Sequence, residues 1–208
     1  MIELHTFVLF LAAAIVVIAA PGPDILYVLS RAVSGGRRIG SISAVAIAFG
    51  EVLHTLLAVL GLAALLQAST KAFLVVKLLG ALYLIYLGIR LIREPNHLGA
   101  LRTAINPGGW RVFREGVLTN LFNPKAILFY ITFLPQFVKP GEHAQFQLVM
   151  LGLTFAILDV LFLSVLALAA GRVHIWLTRK PENAKRVSLA TGSLLIGLGV
   201  ELAFAQKN

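Results

Sequence analysis

Apolar residues gather into long runs along this chain, and polar residues punctuate them. Residues 39–66, 73–89, 146–170 and 189–204 carry few charges. A run of about 18 or more apolar residues is long enough to cross a bilayer core of roughly 30 Å. Taken with the polar breaks between the runs, the pattern predicts six membrane-spanning helices, over about 5–30, 40–66, 72–92, 116–138, 146–170 and 188–205.

Two of these predicted helices are interrupted. The first contains Pro21-Gly22-Pro23 followed by Asp24, and the fourth contains Asn120-Leu121-Phe122-Asn123-Pro124-Lys125. Proline lacks the N–H that a helix needs, and glycine tolerates dihedrals that other residues avoid. Pro21 lies ten residues from Arg31, and Lys125 lies ten residues from Glu115. At about 1.5 Å per residue each break sits roughly 15 Å from its end of the span, half the core thickness. Glu51 and Asp159 are each thirteen residues from the nearest basic boundary, Arg38 and Arg172, or about 20 Å. All four polar features thus fall near the midplane. Irregular backbone at that depth is tolerated where it is buried in protein or lines a cavity, so the breaks are expected to face a polar interior.

The halves of the chain share an order of features. Each opens with a break; AFGEVL holds Glu51 where AILDVL holds Asp159, and KLLGALYLIYLG is followed later by LATGSLLIGLG. The expected fold is therefore an all-α integral membrane protein: six transmembrane helices as two inverted three-helix repeats, with helices one and four broken near the midplane. Repeat one covers about 5–92, a connector about 93–115 and repeat two about 116–205, within a single transporter domain over 1–208. Inverted repeats with interrupted helices are a recurring plan of secondary transporters, whose sites lie at the repeat interface.

Composition agrees. The chain is 59% hydrophobic, with a mean hydropathy of +0.90. Its net charge of +9 would suit nucleic acid, but the basic residues sit in short loops rather than on one soluble face, so no nucleic-acid partner is expected. Thirteen of the eighteen lie in the first, third and fifth loops, and only four in the other loops, their flanks and the tails. Cytoplasmic loops attract Lys and Arg, which places both termini outside. The start of the chain lacks a basic residue, and Ala20 is followed by Pro21, a pattern unlike a cleaved signal peptide. Cysteine is absent, which excludes disulfide and thiol chemistry.

Asp24, Glu51, Lys125 and Asp159 are ionisable residues inside spans. Each costs about 2.5–3.5 kcal/mol at the bilayer centre, so each needs a partner or a use. Asp24 has two readings: a cap for the half-helix that it begins, or part of a site. Lys125 starts a half-helix, where a cation is unfavourable. Its negative partner is a carboxylate of the protein or of a substrate. Glu51 and His54 share a helical face with Thr55. Glu51 and Asp159 are candidates for carrying protons, while His54 reads first as a packed histidine bonded to a neighbour. Asn120 and Asn123 offer amide donors and acceptors. Tyr83, Tyr86 and Tyr130 have two readings, lining of the cavity or packing, with packing favoured. No nucleophile with a base, no HExxH and no His-rich cluster is present, so neither an enzyme, a cofactor nor a metal is expected.

Beyond these features the chain resembles the lysine-exporter type (LysE/RhtB) family of bacterial amino-acid efflux proteins. The carriers are PGPD at 21–24, SGGRRIG at 34–40, GEVLHTLLAVLGLAALL at 50–66, KLLGALYLIYLG at 77–88, LTNLFNPKAILFYITFLPQF at 118–137, LGLTFAILDVLF at 151–162 and GSLLIGLG at 192–199. The resemblance implies export of amino acids from the bacterial cytoplasmic (inner) membrane in exchange for protons. Neutral cargo of the homoserine, threonine or leucine kind is favoured over lysine or arginine. The implied partners are the amino acid, protons and the bilayer, and a homo-oligomer is compatible with this plan. Export of another small solute or cation, and a membrane-embedded enzyme, are the competing readings.

Overall fold

The structure is a computed structural model describing residues 2–68, 70–94, 108–139, 141, 143–179 and 181–204. Regular structure among these residues is entirely helical. Helix α1 spans Leu4–Ala19, α2 Pro23–Ala68, α3 Thr70–Arg93, α4 Gly109–Leu121, α5 Pro124–Leu128, α6 Ala144–Arg179 and α7 Pro181–Phe204. Helix α5 runs on through a π-helical turn, Phe129–Phe133, and a 3-10 turn, Leu134–Phe137.

Both expected breaks are present. Helix α1 ends in extended backbone at Ala20, and α2 restarts at Pro23. Proline is tolerated at a first helical position because the N–H there has no intrahelical partner anyway. Between α4 and α5 the axis bends by 48°. Helix α2 hides a reversal at Gly36, whose φ of 76° is open to glycine at little cost. Residues 32 and 40 would lie about 12 Å apart in a straight helix. A Cβ on Gly40 would instead fall 2.6 Å from that of Ala32. The first loop is therefore a tight turn within 35–37, joining segment 23–35 to segment 37–68.

The expected connector over 93–115 is shorter than its sequence suggests. Residues 95–107, with Pro95, Gly99, Arg102 and Pro107, lie outside the described residues. Residues 109–115 are helix, the first two turns of α4. Ring stacking of Trp110 on Phe113, with centroids 5.7 Å apart, and the Arg111–Glu115 ion pair at 2.8 Å support that turn. Helices α6 and α7 likewise extend beyond the predicted spans, because Pro181 opens α7 directly after Arg179 and Lys180.

Polarity is distributed in the reverse of a water-soluble domain. Leu56, Leu57 and Leu60 on α2, and Ile157, Leu161, Val165 and Leu168 on α6, are exposed. Asp24, Glu51, Asn120, Asn123, Lys125 and Asp159 are buried. An apolar outside around a polar inside is the arrangement that a bilayer selects. Among the described residues, segments Pro23–Gly61 and Ala144–Val173 are long and apolar enough to cross a membrane, and the bent pair Gly109–Leu121 with Pro124–Phe137 makes a third. Helix α1 is a shorter apolar helix.

Packing holds the breaks at the centre. Helix α2 packs on α4 and α6, and α3 packs on α7. Phe129 stacks on Phe155 at 4.1 Å between centroids, while Phe10 meets the edge of Phe137 at 5.4 Å. These rings belong to one apolar cluster built mainly from α1, α3, α6, α7 and the continuation of α5.

Candidate functional site

The two broken helices cap each other. The Lys125 ammonium donates to the main-chain carbonyls of Val17 and Ala20, at 3.2 and 3.1 Å. Those carbonyls belong to the end of α1, where the dipole is negative; Val17 also accepts from the Ala20 N–H at 3.2 Å. Lys125 passes close by Gly22, where an added Cβ would make only ordinary contact with Nζ at 3.5 Å. The partner expected for Lys125 was a carboxylate. What the structure supplies is backbone, and among the described residues Lys125 forms no ion pair. Two of its three ammonium protons are committed, and one remains for another acceptor.

On the other side of the break, Asn123 caps α5 by accepting from the Lys125 backbone N–H at 3.0 Å. Its amide also donates to Asp24 Oδ2. Asp24 thus bonds across to the second break rather than capping its own helix through that oxygen. Helix α2 brings Glu51 alongside: Asn120 Nδ2 donates to Glu51 Oε1 at 2.7 Å. Gly50 makes this approach possible, because a Cβ there would lie 2.5 Å from Asn120 Oδ1.

His54 Nε2 lies 3.2 Å from the Asn120 carbonyl, and its ring stacks on Tyr130 with centroids 5.4 Å apart. The packed, hydrogen-bonded reading of His54 fits this placement. Tyr130 is not merely packing. Its hydroxyl donates to the Gly152 carbonyl at 3.3 Å and meets Thr55 Oγ1 at 3.4 Å, while Thr55 donates to the Glu51 carbonyl at 2.9 Å. Gly152 gives Thr55 its space, as a Cβ there would fall 2.4 Å from Thr55 Oγ1. Tyr83 and Tyr86 stay outside this network and pair with each other at 6.1 Å.

Asp159 on α6 completes the set. It is buried, and Asp24 and Lys125 both act on it electrostatically. The centre therefore holds three carboxyl groups against one lysine. Among the described residues no protein donor reaches Asp24 Oδ1, Glu51 Oε2, Asn120 Oδ1 or Asp159 Oδ2. Buried acceptors without donors are costly, about 1–3 kcal/mol each, and they call for a cation or a proton donor. Among the described residues no group of three or more His, Cys, Asp or Glu side chains is placed so that it could hold a metal ion.

A profile of LysE type translocators matches residues 15–206. The chain belongs to that family. It is 34% identical over 207 residues to an uncharacterized membrane protein of Pseudomonas aeruginosa, covering 94% of each chain. An uncharacterized membrane protein of Vibrio cholerae is 31% identical, covering 98% of this chain and 99% of its own. A leucine efflux protein of Salmonella choleraesuis is 31% identical over 202 residues, covering 95% and 94%. No solved structure matches.

For this LysE type translocator, the sequence pattern had singled out Pro21, Gly22, Pro23, Asp24, Glu51, His54, Asn120, Asn123, Pro124, Lys125 and Asp159. The structure buries Asp24, Glu51, His54, Asn120, Asn123, Lys125 and Asp159 together, whereas Pro23 and Pro124, at the starts of α2 and α5, are exposed. Sequence reasoning missed Gly50, Gly152 and the role of Tyr130. Gly50 was visible as the neighbour of an intramembrane acid, and small residues at helix contacts are a known device. Nothing local marks Gly152 or Tyr130, whose roles arise from contact between distant segments.

Proposed function

We propose that this translocator is a secondary active exporter of amino acids or close derivatives, with neutral cargo favoured, working by proton antiport and alternating access. The observation that carries this reading is the pairing, in one buried centre, of four acceptor atoms without donors and a lysine with a spare donor. A zwitterionic amino acid fits both needs. Its ammonium supplies three donors to the acceptors at Asp24, Glu51, Asn120 and Asp159. Its carboxylate takes the remaining proton of Lys125. The 31% identity to leucine efflux proteins supports amino acids as the cargo class.

Antiport follows from charge. Three buried carboxylates exceed one lysine by two negative charges, and buried uncompensated charge is expensive. A cargo ammonium or protons offset that excess, and both need the same oxygens. Protons entering from outside would displace the cargo ammonium, and deprotonation toward the cytoplasm would reset the centre.

Alternating access has candidate gates. The arms α4 and α5 diverge by only 48°, so Glu115 and Lys139 lie toward opposite ends. Arg31 bonds Glu115 at 2.5 Å, Arg111 adds a second bond at 2.8 Å, and the Tyr27 hydroxyl donates to the Val112 carbonyl at 2.6 Å. At the other end Lys139 meets Glu3 at 2.5 Å. We assign the first set to the cytoplasmic gate and the second to the outer gate, with both termini outside and the chain in the inner membrane. The pairings α2 with α6 and α3 with α7 match equivalent members of two inverted three-helix repeats.

The test is counterflow in proteoliposomes with a panel of labelled amino acids at two internal pH values, comparing wild type with Lys125→Ala and Glu51→Gln. The expected result is exchange of neutral amino acids that is lost in Lys125→Ala. Glu51→Gln is expected to lose accumulation driven by a pH gradient. If no amino acid moves in well-reconstituted protein, the cargo assignment is wrong.

A further inference from the structure

A cavity of about 510 Å³ opens between α2 and α6, and none of the polar centre's residues line it. Ala32, Gly36 and Arg37 of α2 line it with Val165, Leu168 and Arg172 of α6. Its cause is local. At Gly40 the two helices touch, since a Cβ there would fall 2.9 Å from that of Ala167. Past that contact the chain turns away at Gly36, and the small residues 169–171 of α6 leave the gap unfilled.

The chemistry around this gap has two parts. Arg37 and Arg172 are exposed, and no acidic residue lines the cavity. Among the described residues, neither guanidinium has a hydrogen-bond or ion-pair partner. Arginine presents a planar fork of donors that matches phosphate. Val165 and Leu168, 66% and 54% exposed, continue the wall onto the apolar outer face of α6. Trp176, also exposed, follows one turn beyond Arg172, where an indole suits the membrane–water boundary. A free anion would use the arginines and ignore the apolar wall. A lipid uses both.

We infer that this cavity binds the phosphate headgroup of an anionic glycerophospholipid between Arg37 and Arg172, with an acyl chain lying along Val165 and Leu168. Basic pockets between membrane helices bind such headgroups. The inference goes beyond the transport reading and depends on neither the cargo nor the gates.

The test uses the full chain purified in a neutral detergent. Thermal stability is titrated with phosphatidylglycerol, phosphatidylcholine or inorganic phosphate, for wild type, the double variant Arg37→Gln/Arg172→Gln, and Arg38→Gln. Arg38 is exposed but does not line the cavity. Both substituted arginines are unpartnered, so the lipid-free midpoint of the double variant should match wild type. Phosphatidylglycerol should stabilise the wild type saturably, with the double variant needing about thirtyfold more lipid. Arg38→Gln should behave as wild type, and phosphatidylcholine should be ineffective. Equal stabilisation by the two lipids would overturn the inference. So would an Arg38→Gln loss as large as that of the double variant, which would mean diffuse surface charge. Displacement of phosphatidylglycerol by millimolar inorganic phosphate would assign the site to a free anion instead.

Discussion

Substituting Gly50 by alanine tests whether close approach of α2 and α4 sets the polar centre. A Cβ at this position would fall 2.5 Å from Asn120 Oδ1 and 2.8 Å from Asn120 Cβ. Rotating the asparagine relieves the first contact but not the second, because that atom is fixed to the α4 backbone. Carbon–carbon contacts relax at about 3.5 Å or more, so α4 must retreat by about 0.7 Å. That motion stretches the Asn120–Glu51 hydrogen bond from 2.7 Å to about 3.4 Å, where it is largely lost. Overpacking costs about 1–3 kcal/mol, and a hydrogen bond to a charged group contributes about 1.5–3 kcal/mol. Gly50→Ala should therefore lower the thermal midpoint by about 5–24 °C and reduce counterflow by more than tenfold. Gly61→Ala is the control, since nothing lies within 4 Å of a Cβ there. Adding Asn120→Gly to Gly50→Ala removes the fixed Cβ and should recover part of the lost stability. It should leave transport low, because glycine offers no side chain to Glu51. Wild-type transport and midpoint in Gly50→Ala would refute the reasoning.

Other expectations are independent of Gly50. Lys125→Ala removes the cap of α1 and the lone cation among three carboxyl groups; removing one partner of buried charge costs about 3–5 kcal/mol, so reconstituted protein should show no measurable counterflow and a lowered midpoint. Arg31→Ala weakens the Glu115 contact by about 1 kcal/mol; with Ser43→Cys as the sole cysteine of a cysteine-free chain, thiol labelling should speed up about fivefold, and Arg31→Glu/Glu115→Arg should restore shielding. Valine at Gly88 should split α3 from α7, because a Cβ would meet the Gly192 carbonyl at 2.5 Å, whereas Gly197→Ala meets nothing within 4 Å and should be silent in the same midpoint assay. The hydrogen bond and charge of Lys139 hold Glu3 below its ordinary value of 4.5; the attraction is then present above that pH and lost only as pH falls through the lowered value, so Glu3→Gln should leave the shape of the transport profile between pH 5 and 8 unchanged.

The breaks were legible because proline and glycine act locally. Pro21-Gly22-Pro23 and Asn123-Pro124 interrupt α-helix wherever they occur, and intramembrane acids stand out against an apolar background. Helix ends were less legible. Residues 34–37 read as part of a loop, yet packing of Ala32, Gly40 and Ala167 draws both helix ends to within a residue of Gly36. Residues 109–115 read as connector because Pro107-Gly108-Gly109 suggested one, while Glu115 and Phe113 supply contacts that make the segment helical. The partner of Lys125 was beyond sequence reasoning for a different cause. Main-chain carbonyls are the same at every residue, so nothing in the letters of Val17 or Ala20 marks them as acceptors. Tyr130 reaches Gly152 across 22 residues of chain, through a π-helical turn that no periodicity announces.

The crossed caps bear on how such a site can move. Lys125, from the second broken helix, closes the end of α1, and Asn123 beside it bonds Asp24 at the start of α2. Neither break is satisfied by its own helix alone. If one arm rotated independently, it would leave buried carbonyls or a buried carboxylate without donors, a penalty of about 1–3 kcal/mol for each group. Moving both breaks together keeps every cap. The network therefore favours motion in which the inner ends of the four half-helices stay joined at Lys125 and Asn123 while their far ends, held by more exposed and so weaker ion pairs, part and rejoin. A cargo carboxylate that takes the spare donor of Lys125 would bind at the pivot itself. Loading would then alter the same bonds that hold the halves together, which is how occupancy of a small site can bias the whole protein without any further relay.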